Sequence, residues 1–544
     1  DMVRARHGKE LSSVAVYVAR DDAQAAAFLA TAGFFADDIA LHSFPAWDCL
    51  PYDRVSPKVE IISQRMATLA QLAKADDIQT PLIVVTTVNA LLQRVPPKEQ
   101  ITAASFHAAP GNVIDIDALT AFLSRNGYSR ASTVREPGEF AIRGGIIDIY
   151  PPGKREPVRL DMFGDSLDSI RAFDPESQRT TGQEKTLDLI PVSETPLDED
   201  SIHRFRQGYV KTFGTVTEDD PLYEAVSEGR KHHGMEHWLP LFYDSLDTLF
   251  DYLPEATLIG VDHLDHESRD ARLSQIRDYY DARAESEHGT GKNDTFHTPA
   301  YKALPPEGLY LGEEEWKTRL GAFPARTFTS FSEPPADHIV DGKAKQGRNF
   351  AAERASDGVN VFDAVATHID DLKKQNKRSF IACWSAGSAD RMAGVLADHG
   401  LTNPTVCETW KEAFALPSNK TGLLILGLEH GFETTDLAFI AEQDILGDRL
   451  VRAGTRNKKA ANFISEAASL SQGDLVVHVD HGIGRYEGLE TVTVTGAPHD
   501  CLLLIYHGGD KLSLPVENIE LLSRFGSDDA KIQLDKLGGS GWQG

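Results

Sequence analysis

The chain repeatedly approaches nucleotide chemistry without completing it. A phosphate-binding loop needs G-x-x-x-x-G-K-[ST], in which backbone N–H groups cradle the phosphates and a hydroxyl holds magnesium. The nearest match, Gly291-Lys292 in HGTGKND, lacks both the upstream glycine and the hydroxyl residue. The run LIGVDHLDHES (258–268) reads as a strand ending in an acidic pair, with Asp262 placed like a magnesium ligand that has no phosphate cradle to serve. His263, Asp265 and His266 follow it and read as solvated loop residues rather than metal ligands. His478 and His481 have H-x-x-H spacing on a strand-to-turn segment, which does not bring both rings to one ion. Cys49, Cys383, Cys407 and Cys501 lie far apart with no C-x-x-C, which argues against a zinc site or a disulfide framework and fits a reducing cytoplasm. No catalytic residue, cofactor site or metal site is assigned.

Binding chemistry is better represented. In EPVRLDMFGD, Val158, Leu160 and Met162 alternate onto one strand face and should be core, which leaves Arg159, Asp161 and Phe163 on the other. The preceding strand repeats the arrangement, with Phe140 and Ile142 inward and Ala141 and Arg143 outward. Arginines and aromatics are the residue types enriched at binding hot spots. The pattern leaves two readings open: an exposed interface, or a second packed layer over Phe163 with the arginines paired to Asp161 or Asp148.

The segment 473–526 alternates apolar and polar residues in short runs, broken by turns at Gly482, Gly484, Gly496 and Gly508–Gly509. This predicts a small antiparallel β-barrel that docks rather than catalyses. In LETVTVTG (489–496), Val492 and Val494 share one face, and Thr491, Thr493 and Thr495 the other. At a sheet edge such a strand can accept a strand from a partner through its free backbone groups. Both valines could instead be barrel core, with the contact elsewhere.

At 544 residues the chain should hold several domains, since single cores seldom exceed roughly 250–300 residues. A net charge of −27 argues against DNA as its main partner, because duplex binding requires cations that replace counterions. Apolar runs such as PLIVVTTVNALL (81–92) are too short and strand-like to span a bilayer. The expected fold is multidomain α/β and α+β. Residues 1–107 and 192–322 form two parts of an α/β domain of the nucleotide-hydrolase kind, and 108–191 an inserted strand-rich domain. A linker over 323–349, a small α/β domain over 350–453 and a connector helix over 454–471 lead to the barrel at 472–526. Residues 527–544 start a further linker, and both ends read as cut from a longer protein.

Several motifs carry a resemblance. PGEFAIRGGIIDIYPPG, VRLDMFGDSLDSIR and FDPESQRT resemble the domain by which UvrB and the Mfd family of bacterial transcription-repair coupling factors each bind the repair protein UvrA. FPAWDCLPYDRVSP with IISQRMATL, and AEQDILGDR at 441–449, are similar to Mfd. HGIGRY (481–486), DKLSLPVENIELLSR (510–524) and KLGG (536–539) resemble its RNA-polymerase-interacting domain, which shares a barrel with CarD-type regulators. The resemblance implies a degenerate UvrB-like module and makes Arg143, Arg159 and Phe163 the UvrA-binding residues. It also implies strand-to-strand docking of the polymerase β subunit around Thr491, Val492 and Thr493. ATP, magnesium and most DNA contact would belong to a double-stranded-DNA translocase motor further along the parent protein. Unlike UvrB, this sequence has no working phosphate loop, and LPYDRVSP leaves little room for a DNA-threading hairpin. Two other readings are a damage-recognition ATPase or helicase subunit of the UvrB kind, which requires the missing phosphate loop, and a CarD-like regulator, which leaves the first 450 or so residues unexplained.

Overall fold

A computed structural model describes residues 13–74, 81–216, 220–288, 301–331, 333–356, 358–401 and 404–447, then 473, 475–478, 481–494, 497–515, 522–524, 534 and 536. It divides into two compact units, Asp1–Gly447 and Asp448–Gly544. The connector expected over 454–471, the Gly291-Lys292 loop, KLGG beyond Lys536 and most of 527–544 lie outside the described residues.

The first unit begins with a five-stranded parallel sheet. Its order is Ala325–Phe328, Leu258–Asp262, Val14–Ala19, Leu82–Thr87, Ala40–Phe44. All six residues of the central VAVYVA strand are buried, as expected of a parallel strand covered on both faces. The helix Val59–Ala73 buries Ile62, Met66, Leu69 and Leu72, a stripe at helical spacing. The helix Asp22–Phe35 passes through Gly33, a residue type that commonly ends helices. Tertiary packing extends it: the Phe35 ring meets Trp410, in the helix Trp410–Ala415, at 5.0 Å and Phe439, in the strand Leu437–Ala441, at 5.6 Å.

The strand-rich region is a six-stranded sheet in the order Thr180–Glu184, Ser166–Phe173, Val158–Phe163, Ile146–Ile149, Glu139–Arg143, Ser129–Arg130. Its inner face packs Phe140, Ile147, Ile149, Val158, Leu160 and Ile170 against Leu119 and Leu123 of the helix Ile116–Arg125. A two-stranded sheet of Phe106–Ala108 and Leu187–Leu189 brings the two ends of the insertion together.

A second α/β sheet runs Lys345–Gln346, Phe432–Glu433, Leu437–Ala441, Arg378–Cys383, Gly422–Ile425, Thr405–Cys407, with the last four strands parallel. Its flanking helix Val361–Lys374 buries Val365, Ile369 and Leu372. The segment 323–349, expected as a linker, is instead structured at both ends. Ala325–Phe328 adds an edge strand to the first sheet and Lys345–Gln346 one to the second. Backbone pairing outweighs a composition of Pro, Ser and charge, helped at the second edge by Lys345 and Lys377 converging on Glu433 at 3.2 and 2.7 Å.

The C-terminal unit is an antiparallel sheet in the order Lys511–Pro515, Ala497–Ile505, Gly482–Val494, Leu475–His478, Leu522–Arg524. Val476, Tyr486, Leu502, Leu504, Tyr506 and Leu514 form its core. Gly484, expected in a turn, lies inside a strand, where the Tyr506 ring sits 3.0 Å from the position a Cβ would take.

The exit of the insertion is fastened to the helix Val59–Ala73 by a wholly buried ion pair between Arg65 and Glu194. Arg65 Nη1 also donates to the Pro45 carbonyl at 2.9 Å, and its guanidinium lies 4.3 Å from the Phe44 ring centroid. Removing one member of such a pair strands a charge in the interior, at a cost of about 3–5 kcal/mol, whereas replacing both with apolar groups is often nearly neutral. Arg65→Met should therefore shift the urea-unfolding transition of the first unit by about that energy, and adding Glu194→Leu should recover most of it. A single variant as stable as the parent would contradict the role given to this pair.

Candidate docking surfaces

Every second residue of the central strands of the six-stranded sheet faces away from its core. Cross-strand register sets Asp148 opposite Arg159 and Ala141, and Arg159 opposite Arg171. Asp148 is the centre of this outer face. Its fully buried carboxylate accepts from Arg143 Nη2 at 2.6 Å, from Arg159 Nε at 2.7 Å and from Arg159 Nη2 at 3.0 Å. These bonds raise the Arg159 pKa above its ordinary value. The Arg159 guanidinium also stacks 4.6 Å from the Phe173 ring centroid. Beside it, Arg171 makes two bonds to Asp161, at 2.7 and 2.6 Å, and Ser169 Oγ donates to the same carboxylate at 2.7 Å. The Arg171 bond holds Asp161 below the usual carboxylate range.

Phe163 ends its strand 84% exposed, followed by Gly164 at φ +65° in the turn to Ser166. Val113, which bridges to Ser166, is also exposed. The two readings left open by the sequence are therefore both partly right. The arginines are paired, as a packed face would require, but Phe163 is uncovered. The sequence-predicted trio stands on one face. The sequence reading offered Asp148 or Asp161 as partner of the arginines, and it is Asp148 that takes both; it did not include Arg171, which continues the row. The available signal was the alternation of IIDI, which puts Ile147 and Ile149 in the core and Asp148 on the other face. At its centre three guanidiniums meet two carboxylates, with Arg143 and Arg159 sharing Asp148, while Glu139, on the same face by alternation, accepts from the backbone N–H groups of Arg135 and Glu136. An arginine fork recognises a carboxylate bidentately, and an exposed aromatic suits an apolar socket.

The nucleotide-like positions have other occupations. Ligands of open α/β sheets bind beyond the carboxyl ends of the strands. There, Val14–Ala19 passes through Arg20 to Asp21, whose carboxylate accepts from Gln24 N at 2.8 Å and caps the helix Asp22–Phe35. The helix N-terminus, which would face a phosphate, thus already holds an anion of its own. Asp262 closes its own turn, accepting from Leu264 N at 3.0 Å, with His263 Nδ1 3.3 Å away. His478 and His481 stack with ring centroids 4.6 Å apart rather than converging on a point. Burial pushes the Cys49 and Cys383 thiols up to about 12, far from a nucleophilic thiolate.

In the C-terminal unit, Thr491, Val492 and Thr493 lie in the long strand Gly482–Val494, opposite Asp500, His499 and Pro498. Leu475–His478 pairs with the other side of this strand only along 482–485. Beyond a register shift between Tyr486 and Gly488, residues 488–494 have a ladder on one side only among the described residues. Thr495 and the Gly496 turn lie outside the described residues.

Comparison with known proteins gives these surfaces a context. The family model of the UvrB interaction domain matches residues 106–194, and that of the CarD-like/TRCF RID domain matches 470–526. A transcription-repair-coupling factor of Rickettsia bellii is 32% identical over 97% of this chain and 45% of its own length. The factor of Escherichia coli is 32% identical over 91% of the chain and 42% of its own length, and that of Bacillus subtilis 27% over 93% and 42%. The chain spans less than half the length of these relatives. With both family domains present, and with similarity along nearly all of its sequence, the chain belongs to the transcription-repair-coupling factor family.

Proposed function

We propose that this chain supplies the two protein-docking ends of a transcription-coupled nucleotide excision repair factor. The outer face of the strand-rich domain, with Arg143, Arg159 and Phe163, binds UvrA. The C-terminal unit closes as a small barrel and offers the edge at Thr491, Val492 and Thr493 to a strand of the RNA polymerase β subunit. The remainder of the longer protein carries the ATP- and magnesium-dependent motor that moves on double-stranded DNA and pushes the stalled polymerase. The module formed by residues 1–107 and 192–322 is a UvrB-like α/β domain that has lost its nucleotide. The observation that carries the reading is an exposed Phe163 beside an incompletely neutralised arginine pair, within the segment matched by the UvrB interaction domain. The reading as a damage-recognition ATPase differs in one assay, DNA-stimulated ATP hydrolysis by this chain, which the docking reading expects to be absent.

Truncating a central aromatic or arginine at an interface commonly costs about 2 kcal/mol or more. Phe163→Ala or Arg159→Ala should therefore weaken UvrA capture by the whole chain at least about tenfold, with an unchanged thermal transition for the exposed Phe163 variant. Undiminished capture by the Arg143/Arg159/Phe163 triple alanine variant would move the UvrA site elsewhere. At the other end, Val492→Asp should abolish polymerase binding while the C-terminal unit stays folded, since a charge is tolerated at an edge and not in a core. A melted unit, or a folded one that still binds polymerase, would refute the edge assignment.

A further inference from the structure

The docking face holds a residue that cannot itself meet a partner. Asp148 has no exposed side-chain surface, yet its carboxylate is shared by two guanidiniums that do reach the surface. Arg143 retains about half of its side-chain exposure and Arg159 about a fifth. Arg143 and Arg159 stand on the strands either side of the Asp148 strand; left without a shared partner such side chains would repel and sample many rotamers, and ordering them on binding opposes association. One carboxylate beneath both removes the repulsion and fixes them. Arg159 is clamped further, by two bonds to Asp148 on its edge and the Phe173 ring on its plane. Arg171 and Asp161 satisfy each other one to one in the neighbouring register, whereas the two arginines above Asp148 share a single carboxylate.

We infer that Asp148 is a positioning residue, which holds Arg143 and Arg159 as one preset two-pronged receptor for a carboxylate of the docking partner, beside the apolar socket that takes Phe163. The inference rests on the UvrA-docking reading and names the chemistry of that contact: an acidic side chain on the partner, met by guanidinium N–H groups other than those bonded to Asp148. Orientation, and not positive charge alone, is what the face supplies.

Two variants of the whole chain test this against UvrA by titration. Asp148→Asn keeps the shape and removes the charge. It should weaken binding at least about tenfold at a temperature where its circular dichroism is that of the folded parent. In an Arg143→Ala background the same substitution should cost clearly less, because a residue that acts through Arg143 cannot act twice; equal penalties in both backgrounds would overturn the inference. Arg159→Lys keeps the positive charge but loses the fork that grips Asp148. It too should lose about tenfold, and it covers the case in which Asp148→Asn fails to fold. Binding by Arg159→Lys equal to that of the parent would show that charge suffices and overturn the inference. Failure of the parent chain to bind UvrA would overturn the docking reading itself, and is distinguishable because no variant is then needed to see it.

Discussion

The buried pairing of Arg65 with Glu194 holds the strand-rich insertion, and with it the face proposed to dock, against the first α/β region. Arg65 sits mid-helix among Ile62, Met66 and Leu69, where a cation is tolerated only if its donors are satisfied. Glu194 lies where the chain re-enters the first α/β region after the insertion, and its backbone carbonyl also accepts from Tyr243 Oη at 2.8 Å. One side chain therefore joins a helix, the carboxyl end of a strand through Pro45, and the exit of an 80-odd-residue excursion. Hydrophobic packing alone permits small slips. A wholly buried ion pair does not, because any displacement leaves a charge uncompensated.

Close backbone approaches reinforce the same junction. Gly153, at φ +76°, donates to Ser63 Oγ at 3.0 Å, and a Cβ there would lie 2.4 Å from that of Ala67. Both Ser63 and Ala67 belong to the helix that carries Arg65. The insertion thus leans on that helix through its PPG turn and is locked at its exit through Glu194. A patch that recognises a partner with side chains gains affinity by being presented in one orientation, since the ordering cost is met on folding rather than on binding.

Much of this was legible in the sequence because burial on one face writes alternation into it. The inward and outward residues of the strands at 139–143 and 158–163 follow directly from their spacing, as do the helices at 59–73 and 361–374. What was not legible depends on contacts distant in sequence. The helix at 22–35 runs past Gly33 because Phe35 finds Trp410 and Phe439. The strands at 325–328 and 345–346 exist because neighbouring edges need partners, although their sequence reads as linker. Asp148 could be placed on the outer face by alternation, but its double pairing required knowing that strands 11 residues apart bring Arg159 beside it, and 5 residues apart Arg143. Gly484 reads as a turn residue until the Tyr506 ring is seen to need the space.

In the proposed docking reading the two surfaces would recognise their partners by different physics. At the strand-rich face the available information lies in side chains: two arginines that share one carboxylate and a projecting ring, set on a chain whose net charge is −27. That background repels polyanions at long range, while the two arginines can still select a carboxylate at contact. At the strand 488–494 the available groups are the main-chain N–H and C=O along one side, which carry affinity but little identity. Specificity at such an edge must come from the few side chains beside it and from register, and the bulge between Tyr486 and Gly488 fixes where the available ladder begins. A substitution that changes charge should consequently be felt most at the first surface, and one that shifts strand register most at the second.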